Sequence, residues 1–298
     1  IGILLPRSTD YPAMGYDITD GLRLHLQQKG ITPEFFMENI GYGEDAKLTY
    51  SVAEKLFLSQ NIEVLILYST SFNAEPLYPL ANALQKPVII LDAGMQLPGS
   101  AASPHCYHIT LQGVHACRIA GQMAGKGSKK VLMATSFYDG GYRGPYSYDR
   151  GLSEAGGSVC ANFVSAYKIA EFNIASYMDH LQHAGAESVA ACFSSYLAEL
   201  FFKALHQHNS AAVPLPFYCS PFMAEEQLLE NCQYPGGTFY AVVPWGRSLQ
   251  NKVQENFLHT IAAEKSKPAN IFHLLGWEAA DVVQQLLQEG VASLAHFS

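Results

Sequence analysis

The sequence is short of charge, of long apolar runs and of catalytic signatures, and each shortage removes a class of function. Only 15% of the 298 residues are charged, and Lys plus Arg total 18 against 26 Asp plus Glu. The resulting formal charge of −8 disfavours a broad phosphate-backbone interface, so no nucleic-acid partner is expected. The longest apolar stretches, such as 64–67 and 87–91, fall far below the ~20 residues of a membrane helix, so the chain is not expected to span a bilayer. There is no G-x-S-x-G elbow, no phosphate loop of the GxxxxGK type and no GxGxxG after the first strand. What remains is a chain that is 49% hydrophobic and long enough for two domains, each with a sizeable core.

Six cysteines (Cys106, Cys117, Cys160, Cys192, Cys219, Cys232) are too few in a chain this long for a disulfide scaffold of the small secreted kind. Most sit among apolar or small residues, as in Ala190-Ala191-Cys192-Phe193, and are expected as buried thiols. The redox compartment stays open. The chain starts directly in an apolar strand, with no basic or apolar leader ahead of it, so any export signal is expected to have been removed or never present.

Short β-like runs alternate with amphipathic stretches of helical length. Strands are expected at 1–5, 32–39, 63–68, 87–91 and 106–110, and helices at 15–29, 45–59, 75–84 and 112–124. The same grammar restarts at Lys130, with strands at 131–135, 159–164, 188–193, 217–219 and 238–243 and helices at 146–155, 171–183 and 196–208. Two closing helices follow, at 249–265 and 272–289. Strand–helix alternation without hairpin signals predicts an α/β protein of two Rossmann-like lobes, each a parallel sheet flanked by helices. The closing helices are expected to return to the first half, giving a discontinuous lobe 1 of 1–111 plus 246–298 around a lobe 2 of 112–245.

In open α/β sheets ligands gather beyond the carboxyl ends of the strands, which directs attention to the strand-to-helix loops. These loops hold few reactive groups and many hydroxyls and rings. The first half has Tyr11, then Ser69-Thr70-Ser71-Phe72, then Asp92-Ala93-Gly94; the second has Tyr138 to Tyr142, Ser194-Ser195-Tyr196 and Ser220-Pro221-Phe222, and its last strand exits through Trp245. Hydroxyls and free N–H groups ahead of helices suit a small polar group, and rings can stack on an apolar ligand body. Taken singly, Ser69, Thr70 and Ser71 read equally as N-caps. Matched loops in both halves favour a ligand site. The histidines do not form a metal site: His105 and Cys106 face opposite sides of a strand, and His206 with His208, like His180 with His183, lacks a third ligand at a zinc-type spacing. No metal, no cofactor and no catalytic residue is assigned. Asp10, Asp92 and Asp139 read as capping or ligand-bonding acids in the absence of a nucleophile.

The layout resembles the type I periplasmic binding proteins, within them the leucine/isoleucine/valine-binding and amide-sensing branch. The likeness rests on the order of elements, on Ile62-Glu63-Val64-Leu65-Ile66-Leu67-Tyr68-Ser69-Thr70-Ser71, on Lys86-Pro87-Val88-Ile89-Ile90, on Asp139-Gly140-Gly141-Tyr142, and on Trp277-Glu278-Ala279-Ala280-Asp281-Val282-Val283. It implies two hinged lobes joined by crossing segments, closing on a small ligand that is then delivered to an ABC-type membrane permease, with a periplasmic location. The final hairpin of that family does not follow before Ser298, so the third crossing segment is expected either to be absent or to lie outside the given sequence. By position, Ser71 falls where the family holds a ligand carboxylate, and Ala93 and Gly94 where it often has Ala and Thr. Asp92 replaces a small residue, and Tyr196 matches an aromatic of the second lobe. The acid that binds an amine in the amino-acid binders would fall near Pro221 or Phe222, neither of which can serve. Either Asp92 takes the cation or the ligand has no amine and Phe222 offers an apolar wall. The surplus of rings, Tyr11, Phe72, Tyr138, Tyr142, Tyr196, Phe222 and Trp245, favours an aromatic or planar carboxylate or amide. Two rivals remain: a ligand-sensing domain of a receptor or regulator, and an α/β enzyme.

Overall fold

The apolar runs become strands buried on both faces, and side-chain alternation along them builds two cores per sheet. A computed structural model describes residues 1–99, 103–139, 143–166, 168–208, 215–232 and 238–289. The chain divides into two units: Ile1–Leu111 together with the segment from Arg247, and Gln112–Gly246.

In the first unit, β1 (Gly2–Leu5), β2 (Phe36–Asn39), β3 (Leu65–Tyr68), β4 (Val88–Asp92) and β5 (Cys106–Thr110) form a parallel sheet in the order β2-β1-β3-β4-β5. Ile3, Ile66, Ile89 and Leu91 point into one core with α1 (Met14–Gln28) and α11 (Ile271–Glu289). Leu4, Leu65, Leu67, Val88 and Ile90 point into the other, against α2 (Ala46–Ser59) and α4 (Tyr78–Leu84).

The second unit repeats the plan. Its strands β6 (Lys130–Ser136), β7 (Ser158–Ser165), β8 (Ser188–Cys192), β9 (Phe217–Cys219) and β10 (Phe239–Ala241) are parallel in the order β10-β9-β8-β6-β7, the same order read from the other edge. Val131, Met133 and Ala190 face α5 (Gly113–Gly127) and α6 (Arg143–Glu154), while Leu132, Ala134 and Val189 face α7 (Ile174–Ala184) and α8 (Ser195–Gln207). Phe201 of α8 centres this second core: Phe193 stacks on it at 4.6 Å and Tyr177 meets it edge-on at 5.2 Å.

One device recurs in both units. A Cβ on Gly21 of α1 would lie 2.0 Å from the His273 carbonyl oxygen, and one on Gly276 of α11 would lie 1.9 Å from that of Ile18. In the second unit, a Cβ on Gly121 of α5 would meet the Tyr148 oxygen at 2.1 Å and one on Gly151 of α6 the Arg118 oxygen at 1.9 Å. Each sheet therefore carries a helix pair whose backbones touch through reciprocal glycines, which no other residue permits. In the first unit buried charge adds to this join. Asp17 accepts from Lys267 Nζ at 2.5 Å and Asn270 Nδ2 at 2.7 Å, and His25 Nε2 lies 2.6 Å from Asp281 Oδ1.

Several boundaries differ from the sequence reading. The second strand begins at Phe36 rather than Thr32, because Pro33 has no N–H for a ladder. The helix expected over 75–84 is two pieces, a 3₁₀ turn at Glu75–Leu77 containing Pro76 and then α4, and a short α3 (Ser71–Ala74) precedes them. The helix expected from Leu249 starts at Lys252, where Asn251 caps it by accepting from the Gln254 N–H, and is α10 (Lys252–Lys265). A short helix, α9 (Glu226–Asn231), has no counterpart in the sequence reading. Cys106, Cys117, Cys192, Cys219 and Cys232 are buried free thiols, and Cys160 is partly buried. Among the described residues no helix is long and apolar enough to cross a membrane, and no group of His, Cys, Asp and Glu could hold a metal ion.

Candidate functional site

Because every strand of a unit runs the same way, the loops leaving their carboxyl ends share one edge of that unit. In the first unit this edge brings together residues from three neighbouring strands around Asp92, the buried last residue of β4. Its Oδ2 accepts from Ser71 Oγ at 2.8 Å, and its Oδ1 accepts from the Gly94 N–H at 2.5 Å and from Thr110 Oγ1 at 2.7 Å. Gly94 has φ of +67°, so glycine is what lets the chain double back and offer that N–H. With three donors in place, the carboxylate serves as an internal clamp across β3, β4 and β5, which leaves it little capacity for a ligand's cation.

The three hydroxyls after β3 separate by role. Thr70 caps α3 by accepting from the Asn73 N–H at 3.3 Å, and Ser71 is spent on Asp92. Ser69 Oγ is buried and has no hydrogen-bond partner among the described residues, although the Ser69 N–H is satisfied by the Leu91 carbonyl at 3.0 Å. A buried hydroxyl left without a partner is an uncompensated cost, and a ligand acceptor would remove it. Ala93 is half-buried between Asp92 and Gly94. Tyr11 is set against the core rather than outward, with its ring edge-on to Phe272 at 5.2 Å, while Phe72 is 68% exposed.

The second unit carries a related clamp between two loops. Asp139 accepts from Ser136 Oγ at 2.6 Å, from Ser194 Oγ at 2.7 Å and from the Ser194 N–H at 3.2 Å, tying the loop after β6 to the loop after β8. Tyr138 stands beside this acid with 43% of its surface exposed. Tyr196, in the first turn of α8, packs partly buried on the unit's core, and Phe222 lies half-buried in the 3₁₀ turn Pro221–Ala224 that leaves β9. Trp245 is half-buried in the segment that follows β10. Tyr142 lies outside the described residues, as do Gly140 and Gly141. The structure thus joins Ser71, Asp92 and Gly94 by hydrogen bonds, and sets Tyr138, Tyr196 and Phe222 on carboxyl-end loops of one sheet.

Two contributors were not singled out from the sequence. Thr110 completes the Asp92 clamp from the next strand, a contact that no sequence spacing signals. Glu225 follows the Pro221–Ala224 turn with its Oε1 buried and unpartnered, and burial pushes its carboxyl up to about 7. The signal that could have found it is an acid three residues after Phe222.

The family model described as periplasmic binding protein matches residues 1–294. No curated protein matches the sequence. Among solved structures, a solute-binding protein of an ABC transporter from R. palustris, in complex with benzoate, superposes with a TM-score of 0.77 at 21% identity, covering 99% of this chain and 82% of that one. A second, from Rhodopseudomonas palustris HaA2 in complex with p-hydroxybenzoic acid, gives 0.75 at 17% identity, with 98% and 81% coverage. A branched-chain amino acid transporter substrate-binding protein from Streptococcus pneumoniae, in complex with isoleucine, gives 0.70 at 12% identity, with 98% and 86% coverage.

Proposed function

Since the chain belongs to the periplasmic binding protein family, we propose that it binds an aromatic or otherwise planar small carboxylate and delivers it to an ABC-type membrane permease. In this reading the protein works outside the cytoplasmic membrane, and it holds its ligand without changing it. In this reading a ligand drives closure only by the contacts it makes better in the closed state than in the open one.

The observation that carries the ligand class is the state of the first unit's carboxyl edge. Asp92 is occupied by three donors, so a ligand ammonium has no ready acid there, whereas Ser69 Oγ is a buried hydroxyl with nothing to donate to. A carboxylate oxygen matches that hydroxyl. Exposed rings at the same edges, Phe72 in the first unit and Tyr138 in the second, suit a flat apolar body. Ser71 and Asp92 keep the loop in shape, and Tyr196 and Phe222 contribute ring surface from the second unit.

The test is a thermal-shift and calorimetric screen with benzoate, 4-hydroxybenzoate and isoleucine, followed by small-angle scattering with the tightest ligand. Stabilisation by mass action amounts to ~2.7 kcal/mol when ligand stands at a hundred times its Kd. A shift with the benzoates together with a smaller radius of gyration is expected. Binding confined to isoleucine, or tight binding without compaction, would overturn the ligand class or the closure respectively.

A further inference from the structure

Among the described residues none supplies Glu225 with a counter-charge. It leaves the Pro221–Ala224 turn at the carboxyl end of β9 as a half-buried residue, and its Oε1 is sealed from water with no donor among the described residues. The turn packs against β8, β9, β10, α5, α8 and α9. On those helices Arg118 is tied to Glu154 and Lys203 to Glu199, and the other titratable side chains are His115, Cys117, Lys126, Tyr196, His206, Glu226 and Glu230. The strands add only Cys192, Tyr218, Cys219 and Tyr240. None of these shifts Glu225; burial is its single perturbing cause, and it pushes the carboxyl up to about 7. An ionised carboxylate in such a place would be desolvated with nothing in return, and the group keeps its proton instead. Protonation also changes what it can do, since a carboxylate only accepts whereas a carboxylic acid has one O–H to donate.

We propose that Glu225 is a specificity-determining residue that presents a neutral carboxylic acid to the bound ligand, donating its O–H to a ligand oxygen and rejecting an ammonium group. This rests on the reading that the carboxyl-edge loops hold the ligand, and it narrows the class to molecules offering an oxygen acceptor to the second unit. Ligand and proton are then held together, so affinity falls as the pH rises past the point where Glu225 ionises.

The experiment is isothermal titration of wild type and Glu225→Gln with benzoate, 4-hydroxybenzoate and isoleucine between pH 5.5 and 8.5, in buffers of differing ionisation enthalpy. Wild type should bind a benzoate with net proton uptake near pH 7 and lose up to about tenfold in affinity per pH unit above it. Glu225→Gln keeps an N–H donor of the same shape, and should bind within about threefold of wild type at pH 6 with a flat pH profile. A benzoate that binds with the same pH profile in both proteins would refute the role of Glu225 and leave the proposed function standing. Isoleucine binding that strengthens with pH and is lost in Glu225→Gln would refute it in the opposite sense, making the residue an anion for an ammonium group. If none of the three binds, the proposed function falls and the inference falls with it.

Discussion

Replacing Asp92 with Ala tests whether the acid at the end of β4 is a clamp within the first unit. The substitution strands three donors, Ser71 Oγ, Thr110 Oγ1 and the Gly94 N–H, now 2.8, 2.7 and 2.5 Å from its oxygens. The two hydroxyls differ from the amide, because Thr110 is only half-buried and its O–H can turn to water, whereas Ser71 and Gly94 are buried. Counting the two buried donors at ~1.5–3 kcal/mol each, the value for hydrogen bonds to a charged group, gives a loss of about 3–6 kcal/mol. Asp139→Ala should cost less, about 1–2 kcal/mol, since that acid is only partly buried and one of its three contacts is a longer 3.2 Å. The assay is urea unfolding of both variants beside wild type, with ligand titration on the folded fraction. Asp92→Ala should also weaken ligand binding, because Ser69 and Ser71 lose the anchor of their loop. A loss below 1 kcal/mol for Asp92→Ala, or a larger loss for Asp139→Ala, would refute the clamp.

Three further outcomes are expected. Gly121→Ala and Gly276→Ala place a methyl about 2 Å from the Tyr148 and Ile18 carbonyl oxygens, so each should lose at least ~3 kcal/mol and show a clearly lower melting temperature. Phe201→Ala removes the ring on which Phe193 stacks and should cost ~3–5 kcal/mol in urea unfolding. For Glu225 the folded protein holds a proton that the unfolded chain releases near its ordinary 4.5, so native stability falls as the pH rises from 4.5 towards 7. At ~1.4 kcal/mol per pH unit, Glu225→Gln should be about 3 kcal/mol more stable than wild type at pH 8, and equal to it near pH 4.

Much of the fold is legible in the sequence, because it depends on local periodicity. Val64 to Leu67 is a short unbroken apolar run, which suits a strand covered on both faces, and Leu48, Val52, Leu56 and Phe57 recur at helical spacing. The elements that escaped are those in which a neighbour overrides the local pattern. Pro76 turns an amphipathic stretch into a 3₁₀ step, Pro33 delays β2, and α9 is too short to show a period.

The candidate site divides along the same line. Its location at the carboxyl ends of the strands, and the supply of hydroxyls and rings there, follow from the order of elements and can be read before any coordinates exist. The roles of the individual groups cannot. Ser69, Thr70 and Ser71 are three similar hydroxyls in a row, yet one is buried without a partner, one caps a helix and one is bound to an acid 21 residues away. That acid is shared with Thr110 only because the sheet sets β3, β4 and β5 side by side. Glu225 is an ordinary acid in the sequence and acquires its raised carboxyl solely from what is packed around it. Periodicity and turn chemistry are properties of a few consecutive residues, so the sequence alone determined the two repeated α/β units and where to look for a ligand. Hydrogen-bond partnership and desolvation depend on residues distant in the chain, so only the tertiary structure decided which groups at those edges remain to meet it.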